Sequence, residues 1–412
     1  MRRVAWVATA FLVLGTLSPG AAFADSSNGT VSLPSGAAPY GVAVSPDGRF
    51  AYTSDFATNQ VSVVKTSTNV VVGDPIAVGA APSAIIVSPD GTTVYTANQN
   101  DDTVSAIDVA TKAVTSIMVG DYPNGLAISP DGDTLYVTNW FGATVSVVDT
   151  ATATETTTFP ATGPWGITIS ADGSLLYVGN FSADTVTVLD VSDGAQVGDP
   201  IAIGSGPSGL ALSPDGSRLY ALAYNDGKLV TVDTATGAVL GKVGTGLAGY
   251  GLAATPDGTR VYATSSETGK LVTVSTATNK VTQRLTLGPG AWGLAINPAG
   301  NRAFIALNGA GSSSESLAVV HVDTHPAITL NSLPDAKVGK AYVVTVTVSG
   351  SPKPTLAVTK GKLPTGLKLT ANGRLKGTPT KAGQFGFTLT ASSEVSGIPT
   401  DVSKRFTLVV KK

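Results

Sequence analysis

Short runs of apolar residues, each bounded by Gly, Pro, Asn or Asp, recur along most of the chain. One stretch shows four of them in a row, at 125–128, 135–138, 144–148 and 154–159. Runs of this length, alternating or continuously apolar and rich in Val and Thr, predict β-strands joined by tight turns. No stretch beyond residue 24 has a convincing helical period. The pattern therefore predicts an all-β protein.

The strand pattern repeats with a fixed period. A turn related to Ser-Pro-Asp-Gly places an Asp at 47, 90, 131, 172, 215 and 257, with Ala299 at the seventh position. Successive spacings are 43, 41, 41, 43, 42 and 42 residues, and a period of about 40–45 residues with four strands each is typical of propeller blades. The seventh repeat supplies only three runs, but the run at 29–33 offers a fourth. Pairing the two ends would remove an open edge, which predicts a seven-bladed β-propeller closed by an N-terminal strand.

A family resemblance follows from one recurring motif. The residues Tyr-Val-Thr-Asn stand at 136–139, and related sequences stand in register at 95–98 and 177–180. Over residues 30 to 324 the chain resembles the YVTN-repeat family of secreted and surface-layer propellers. The resemblance implies a propeller at or outside the cell surface, and it leaves the activity open because propellers of one shape have many functions.

The C-terminal segment has a different pattern. Strand-like runs occur at 342–348, 355–358, 367–370, 385–391 and 406–410. The segments 363–367, 373–379 and 383–385 together resemble the immunoglobulin-like domains of bacterial surface proteins. We therefore expect a signal peptide at 1–24, a propeller at 25–324 and a basic immunoglobulin-like β-sandwich at 326–412.

The N-terminal segment predicts export. Met1-Arg2-Arg3 is basic, residues 4–17 are mostly apolar, and Ala22-Phe23-Ala24 has the small-x-small form of a cleavage site. No later stretch is apolar for long enough to span a membrane, and the absence of cysteine excludes disulfides. We expect a secreted protein, released or retained at the cell surface or wall.

Charge divides the chain in two. Residues 25–325 contain 25 acidic and 11 basic residues, a balance of −14, whereas 326–412 contain 3 acidic and 13 basic residues, a balance of +10. The negative balance disfavours nucleic-acid binding by the propeller. The basic domain is expected to act as a spacer or to be attracted to an anionic wall polymer or lipid headgroups.

Aromatic residues fall into two sets. The first occurs once per blade and predicts packing between blades: Tyr52, Tyr95, Tyr136, Tyr177, Tyr220, Tyr262 and Phe304. The second set, which includes Phe56 and Tyr122, does not recur in every blade. Because alternate turns of a blade lie at opposite ends of its strands, this set is expected on one face of the disc. These rings either plug the channel mouth or bind a glycan or protein. Five amides are expected to accompany them on this face: Asn98, Asn100, Asn139, Asn180 and Asn225. The predicted ligand-binding residues are Tyr40, Asn124, Trp140, Phe141, Trp165, Phe181, Tyr224, Tyr250 and Trp292.

Catalysis and metal binding have weaker support. Only two histidines occur, His321 at the end of a predicted strand and His325 in the predicted linker between the domains. Their positions suit neither a catalytic triad nor a histidine metal site. The predicted face also carries acids that could recruit Ca²⁺, although no spacing resembles a known calcium loop, so we expect no cofactor: Asp55, Asp101, Asp102, Asp121, Asp184, Asp226 and Glu267.

We therefore predict a non-catalytic binding protein whose partner is a glycan, a cell-wall polymer or a protein. The alternative is a hydrolase or lyase that uses acids at the channel mouth. A structural role in a surface layer is a third possibility.

Overall fold

The computed structural model describes residues 25–246, 248–309, 315–322, 324–328, 330–351, 353–395 and 398–412. The predicted signal segment lies outside these residues. The described chain divides into two compact units, Asp25–Val322 and Asp323–Lys412, and its regular elements are β-strands. Among these residues no helix is long and apolar enough to cross a membrane.

Seven antiparallel sheets, here called blades one to seven, build the first unit. Strand β1 (Ser26–Ser32) precedes blade one. Blade one contains β2 (Pro39–Val44), β3 (Phe50–Asp55), β4 (Gln60–Lys65) and a divided outer strand, β5 (Val70–Val71) and β6 (Ile76–Ala77). Blade two contains β7 (Pro82–Val87), β8 (Thr93–Asn98), β9 (Thr103–Asp108) and β10 (Val114–Met118). Blade three contains β11 (Pro123–Ile128), β12 (Thr134–Asn139), β13 (Thr144–Asp149) and β14 (Thr154–Pro160).

The remaining blades follow the same order from the innermost strand outward. Blade four contains β15 (Pro164–Ile169), β16 (Leu175–Asn180), β17 (Thr185–Asp190) and β18 (Ile201–Ala202). Blade five contains β19 (Pro207–Leu212), β20 (Arg218–Ala223), β21 (Lys228–Asp233) and β22 (Val239–Gly244). Blade six contains β23 (Gly249–Ala254), β24 (Arg260–Ser265), β25 (Lys270–Ser275) and β26 (Lys280–Thr286). Blade seven contains β27 (Ala291–Ile296), β28 (Arg302–Leu307) and β29 (Ser316–His321).

The two ends of the chain segment close the ring. Strand β1 pairs antiparallel with β29, with Thr30 opposite Ala318 and Val31 opposite Leu317, so it is the fourth strand of blade seven. The inner strands β2 and β27 are neighbours, as are the inner strands of the other adjacent blades. This arrangement is the predicted seven-bladed β-propeller, and it leaves no open sheet edge between the first and last blades.

The aromatic residue that repeats in every blade packs against the next blade. Tyr52 is 2% exposed and lies in one apolar cluster with Val87 and Val94 of blade two. Phe304 of blade seven is fully buried in a cluster with Val42 of blade one. Interlocking of this kind confirms that the first aromatic set holds blades together.

The repeated Asp residues stabilise turns. In blade one, Ser45 Oγ donates to Asp47 Oδ1 at 2.6 Å, and the Arg49 amide donates to the same oxygen at 2.9 Å. These bonds, led by that from Ser45, lower the pKa of Asp47. Blade seven has no Asp at this position, and there Asn297 Oδ1 accepts from the amides of Asn301 and Arg302 at 3.1 and 3.0 Å. The side chain of Asn297 thus accepts both turn amides in a blade that has no Asp there.

The Asn of the Tyr-Val-Thr-Asn motif lies inside its blade. Asn139 Nδ2 donates to Thr144 Oγ1 at 3.0 Å and to Ser146 Oγ at 2.8 Å, and its side chain is fully buried. Asn98 and Asn180 make the corresponding bonds in blades two and four. The sequence pattern had suggested that these amides accompany the rings on the ligand face. That expectation is wrong, because each amide is used to join the second and third strands.

Asp55 occupies the same position in blade one and is also fully buried. Thr53 Oγ1 donates to its Oδ1 at 2.8 Å, and Ser62 Oγ donates to its Oδ2 at 2.5 Å. Burial raises the pKa of this carboxyl to about 6, although both hydroxyls act in the opposite direction. Asp55 is therefore a buried blade residue and does not lie exposed among the acids of the predicted face.

Close contact between inner strands places the residues of the channel mouth. A Cβ atom added to Gly166 would lie 2.0 Å from the Ser208 carbonyl oxygen of the next blade. Hydroxyl groups fasten other junctions: Thr138 Oγ1 donates to the Trp165 carbonyl at 2.7 Å, and Ser208 Oγ donates to the Gly249 carbonyl at 2.7 Å. The residue before each inner-strand Gly is thereby held at a set position around the channel.

The second unit is a β-sandwich. One sheet orders its strands as β31 (Ala336–Lys337), β38 (Ile398–Lys411), β37 (Gly383–Val395) and β34 (Thr355–Gly361). Another orders β32 (Tyr342–Thr345), β36 (Arg374–Gly377) and β35 (Leu367–Leu369), and a third pairs β30 (Thr324–Ile328) with β33 (Val348–Ser351). Tyr342 and Leu375 share a single apolar core with Phe387 and Leu408 of the first of these sheets. This unit is the predicted immunoglobulin-like domain.

Candidate ligand-binding face of the propeller

Seven residues stand at equivalent positions on the seven inner strands. Below them, the inner strands line a central cavity of about 220 Å³, with Leu126, Leu210 and Leu252 among its apolar walls. The seven mouth residues are Tyr40, Ser83, Asn124, Trp165, Ser208, Tyr250 and Trp292.

A hydrogen-bond chain crosses the channel mouth. Trp165 Nε1 of blade four donates to Tyr250 Oη of blade six at 2.8 Å, and Tyr250 Oη donates to Asn124 Oδ1 of blade three at 3.1 Å. Burial among neighbouring groups raises the pKa of Tyr250 well above the usual range of tyrosine. Tyr250 is therefore a neutral phenol at physiological pH. Asn124 is 1% exposed and its Nδ2 has no hydrogen-bond partner.

The other side of the mouth is filled by stacked rings. Tyr40 stacks on Trp292 with centroids 5.0 Å apart, and it meets Tyr250 edge-on at 4.8 Å. Phe56 stacks on the outer side of Tyr40 at 5.7 Å. Burial raises the pKa of Tyr40 as well. These contacts join blades one, six and seven across the mouth.

A second arm of rings runs outward over blades three to five. Trp140 meets Trp165 edge-on, with ring centroids 4.0 Å apart, and its centroid lies 5.1 Å from that of Phe181. The centroid of Phe181 in turn lies 5.9 Å from that of Tyr224. In the opposite direction Trp140 contacts Phe141 at 6.3 Å.

The arm ends on an exposed ring. Phe141 packs against Tyr122 with centroids 4.8 Å apart, yet it remains 65% exposed. A large apolar side chain this exposed is not needed to close the channel. Phe141 is therefore the ring in the network that is most open to a partner.

The structure thus brings all nine predicted residues into one connected network. Asn124 joins through Tyr250, and the eight predicted rings are joined further by Phe56 and Tyr122. We call the ten rings the aromatic face: Tyr40, Phe56, Tyr122, Trp140, Phe141, Trp165, Phe181, Tyr224, Tyr250 and Trp292. The plug interpretation fits the rings that bond across the mouth, and it does not fit Phe141.

Carboxylates surround the aromatic face, and several of them hold the loops between blades. Asp102 Oδ1 accepts from the Tyr122 amide at 3.0 Å, and Asp184 Oδ1 accepts from the Gly206 amide at 2.9 Å. Asp121 and Glu267 are exposed. Among the residues that the structure describes, no three His, Asp or Glu side chains converge in a way that could hold a metal ion.

No His, Asp, Glu or Lys is among the seven mouth residues. Their two serines are used in the fold: Ser83 Oγ donates to the Ala97 carbonyl at 3.3 Å, and Ser208 Oγ bonds to blade six. His321 lies at the end of β29, opposite Ser26 and Arg302. His325 lies in β30 of the second unit, and not in a linker as its sequence position had suggested.

Comparison with known proteins supports the same two-part architecture. The sequence model of a family described as "Lactonase, 7-bladed beta-propeller" matches residues 20–159, and one described as "Putative Ig domain" matches residues 325–411. No curated protein matches the chain.

Two solved structures share the propeller. The first is the Kuenenia stuttgartiensis hydrazine synthase, with 22% identity and a TM-score of 0.63 over 72% of this chain and 98% of that one. The second is a streptogramin B lyase, with 15% identity and a TM-score of 0.60 over 71% and 97%. At these identities the likeness establishes the fold, and function has to be argued from the site.

Proposed function

We propose that the protein is an exported, non-catalytic binding protein whose aromatic face binds a glycan or a protein. The observation that carries this proposal is the network of ten rings that ends on Phe141, 65% exposed. Binding hot spots are enriched in clustered Trp and Tyr residues.

The outer arm is the better docking site within this face. The rings at the channel mouth have their polar atoms engaged with one another, as in the bond from Trp165 to Tyr250. By contrast, Phe141 packs on Tyr122 with one side open to solvent, and Asp121, next to Tyr122 in the chain, is also exposed. Apolar rings next to a carboxylate acceptor suit both a sugar ring with its hydroxyls and a protein side chain.

The basic unit would hold the protein at the envelope. Strands β36 and β35 pair Lys376 with Lys368, and both side chains are exposed on the same side of the sheet as Arg374. Three cations on one sheet face attract anionic polymers or headgroups.

Tryptophan fluorescence tests the proposal directly. In the mature chain the reporters are Trp140, Trp165 and Trp292, and all three belong to the aromatic face. The protein is titrated with wall fragments, glycans and peptides. We expect a saturable change with one class, and we expect Phe141→Ala to weaken that binding by about tenfold or more.

Leu240→Ala is the matched control, because Leu240 is 52% exposed on the outer strand of blade five, away from the rings. It should leave binding unchanged. Binding that survives Phe141→Ala, or that is equally weakened by Leu240→Ala, would place the site elsewhere.

The match to a lactonase family favours one second candidate, a hydrolase or lyase on the same face. Its acids would be the exposed Asp121 and Glu267. Product formation from a panel of lactones and esters, lost in Asp121→Asn or Glu267→Gln, would support turnover. Saturable binding with the substrate recovered intact would support the binding protein.

A further inference from the structure

Asp25, the residue that follows the predicted cleavage site, is buried in blade six. Its carboxylate is 1% exposed and forms an ion pair with Arg260, whose Nη1 lies 2.9 Å from Asp25 Oδ1. Tyr262 Oη and Thr273 Oγ1 donate to Oδ2 at 2.8 and 3.1 Å. Three donors of one blade therefore converge on the carboxylate.

The main chain of Asp25 is held as well. Its nitrogen donates to Gln283 Oε1 at 2.7 Å, and Gln283 Nε2 donates to its carbonyl oxygen at 2.7 Å. A single glutamine thus satisfies both backbone groups of the residue just before β1.

The pocket lies at a junction between blades where an Arg recurs. Arg218, Arg260 and Arg302 each open the second strand of their blade. Arg218 donates to the Thr276 carbonyl, in the turn between the third and fourth strands of the next blade, at 2.7 Å. Arg302 donates to the Thr66 carbonyl in the corresponding turn of blade one.

In the blade that Arg260 faces, no turn joins the third and fourth strands. The third and fourth strands of blade seven are β29 and β1, which come from opposite ends of the unit. Asp25 directly precedes β1 at this break, and its carboxylate accepts from Arg260 there. Arg260 is 3% exposed, and removing a carboxylate that pairs with a buried guanidinium is unfavourable, so Asp25 stabilises this junction.

We propose that the Ala24–Asp25 bond is the maturation site and that the pocket formed by Arg260, Tyr262, Thr273 and Gln283 binds the new N-terminal residue. A leader peptidase adds water across the bond, which leaves a carboxylate on Ala24 and an amino group on Asp25. That amino group keeps its bond to Gln283, and the bound terminus locks the closing strand. The proposal rests on the export proposed above.

The pocket is tested on purified protein by comparing a chain that starts at Asp25 with one that starts at Ser26. Removal of Asp25 should lower the Tm of the propeller by roughly 5–15 °C, because it removes the buried carboxylate that pairs with Arg260 and accepts from Tyr262 and Thr273. Asp25→Asn should lower it too, and Arg260→Met should restore part of that loss in the double variant. Ser26→Ala, at the exposed neighbour, is the control and should change little.

N-terminal sequencing of the exported protein tests the cleavage, and Asp25 is the expected first residue. A start at Ser26 or later, or inside the leader, would overturn the maturation site. An equal Tm for the two purified chains would overturn the pocket. A protein that stays unexported, yet loses Tm without Asp25, contradicts the proposed export and the maturation step and leaves the pocket supported.

Discussion

Asp55 is a carboxyl group at a position where blades two to four have an amide. The amide of Asn139 donates to two hydroxyls, whereas the Asp55 carboxylate accepts from Ser62 and Thr53. Both arrangements satisfy the hydroxyls, but only the carboxylate carries a charge that burial disfavours.

This difference predicts a pH-dependent effect of Asp55→Asn. The folded pKa of about 6 exceeds the usual 3.8, so the stabilising contribution of the protonated group is complete below about pH 4 and is lost as pH rises through 6. At pH 8 the variant should be more stable by about 1–3 kcal/mol, and at pH 3.5 it should match the wild type. Urea unfolding across this pH range measures the difference.

Asp47 provides the control, because hydrogen bonds lower its pKa. Its stabilising contribution is present above pH 4 and is lost as pH falls through its folded pKa, so Asp47→Asn should weaken the protein at neutral pH. An Asp55→Asn effect that is independent of pH would contradict the burial argument.

At the scale of the strand, inner-strand glycines decide how closely blades approach. Gly166 leaves room for the Ser208 carbonyl oxygen, which would lie 2.0 Å from an added Cβ. Blade two has Ala84 at this position, which shows that each junction sets its own spacing.

We expect Gly166→Ala to lower the free energy of unfolding by about 1–3 kcal/mol through overpacking against the next blade. Denaturant titration measures this change. Ala84→Gly is the reverse control and should cost less than about 1 kcal/mol. A Gly166→Ala variant as stable as the wild type would mean that the blades separate without penalty.

For the molecule as a whole, charge separates the two units. The negative balance of the propeller and the +10 balance of residues 326–412 predict that envelope attraction comes from the second unit. Full-length protein should bind isolated walls or anionic vesicles at low salt and be released in about 1 M salt. Propeller alone, residues 25–322, should not bind.

A charge-matched pair of variants distinguishes binding by one sheet face from attraction by the net charge of the unit. Replacing the three cations of the β36–β35 sheet face by Gln should reduce retention more than replacing three exposed lysines elsewhere in the unit. The first set is Lys368, Arg374 and Lys376, and the second is Lys337, Lys340 and Lys353. Equal losses in a sedimentation assay would show that only net charge matters.

The blade pattern was predictable because its causes are local and repeated. Strand alternation, the Asp-Gly turns and a period near 42 residues each act within one blade, so every repeat reinforces the same assignment. Up-and-down connectivity also determines which turns share a face. The ring closure and the grouping of the predicted site residues follow from the sequence for that reason.

Only the tertiary structure decided which side chains meet across the ring. Tyr250 bonds with Trp165 and Asn124, 85 and 126 residues away in the chain, and Asp25 bonds with Arg260 across 235 residues. No periodicity marks the contacts of Tyr250, since they join non-adjacent blades, and the Asp25 pair depends on closure of the ring by β1. The burial of Asn139 was missed for a more local reason: the sequence places it at a strand end, and the neighbouring strand of the same blade decides that it points inward.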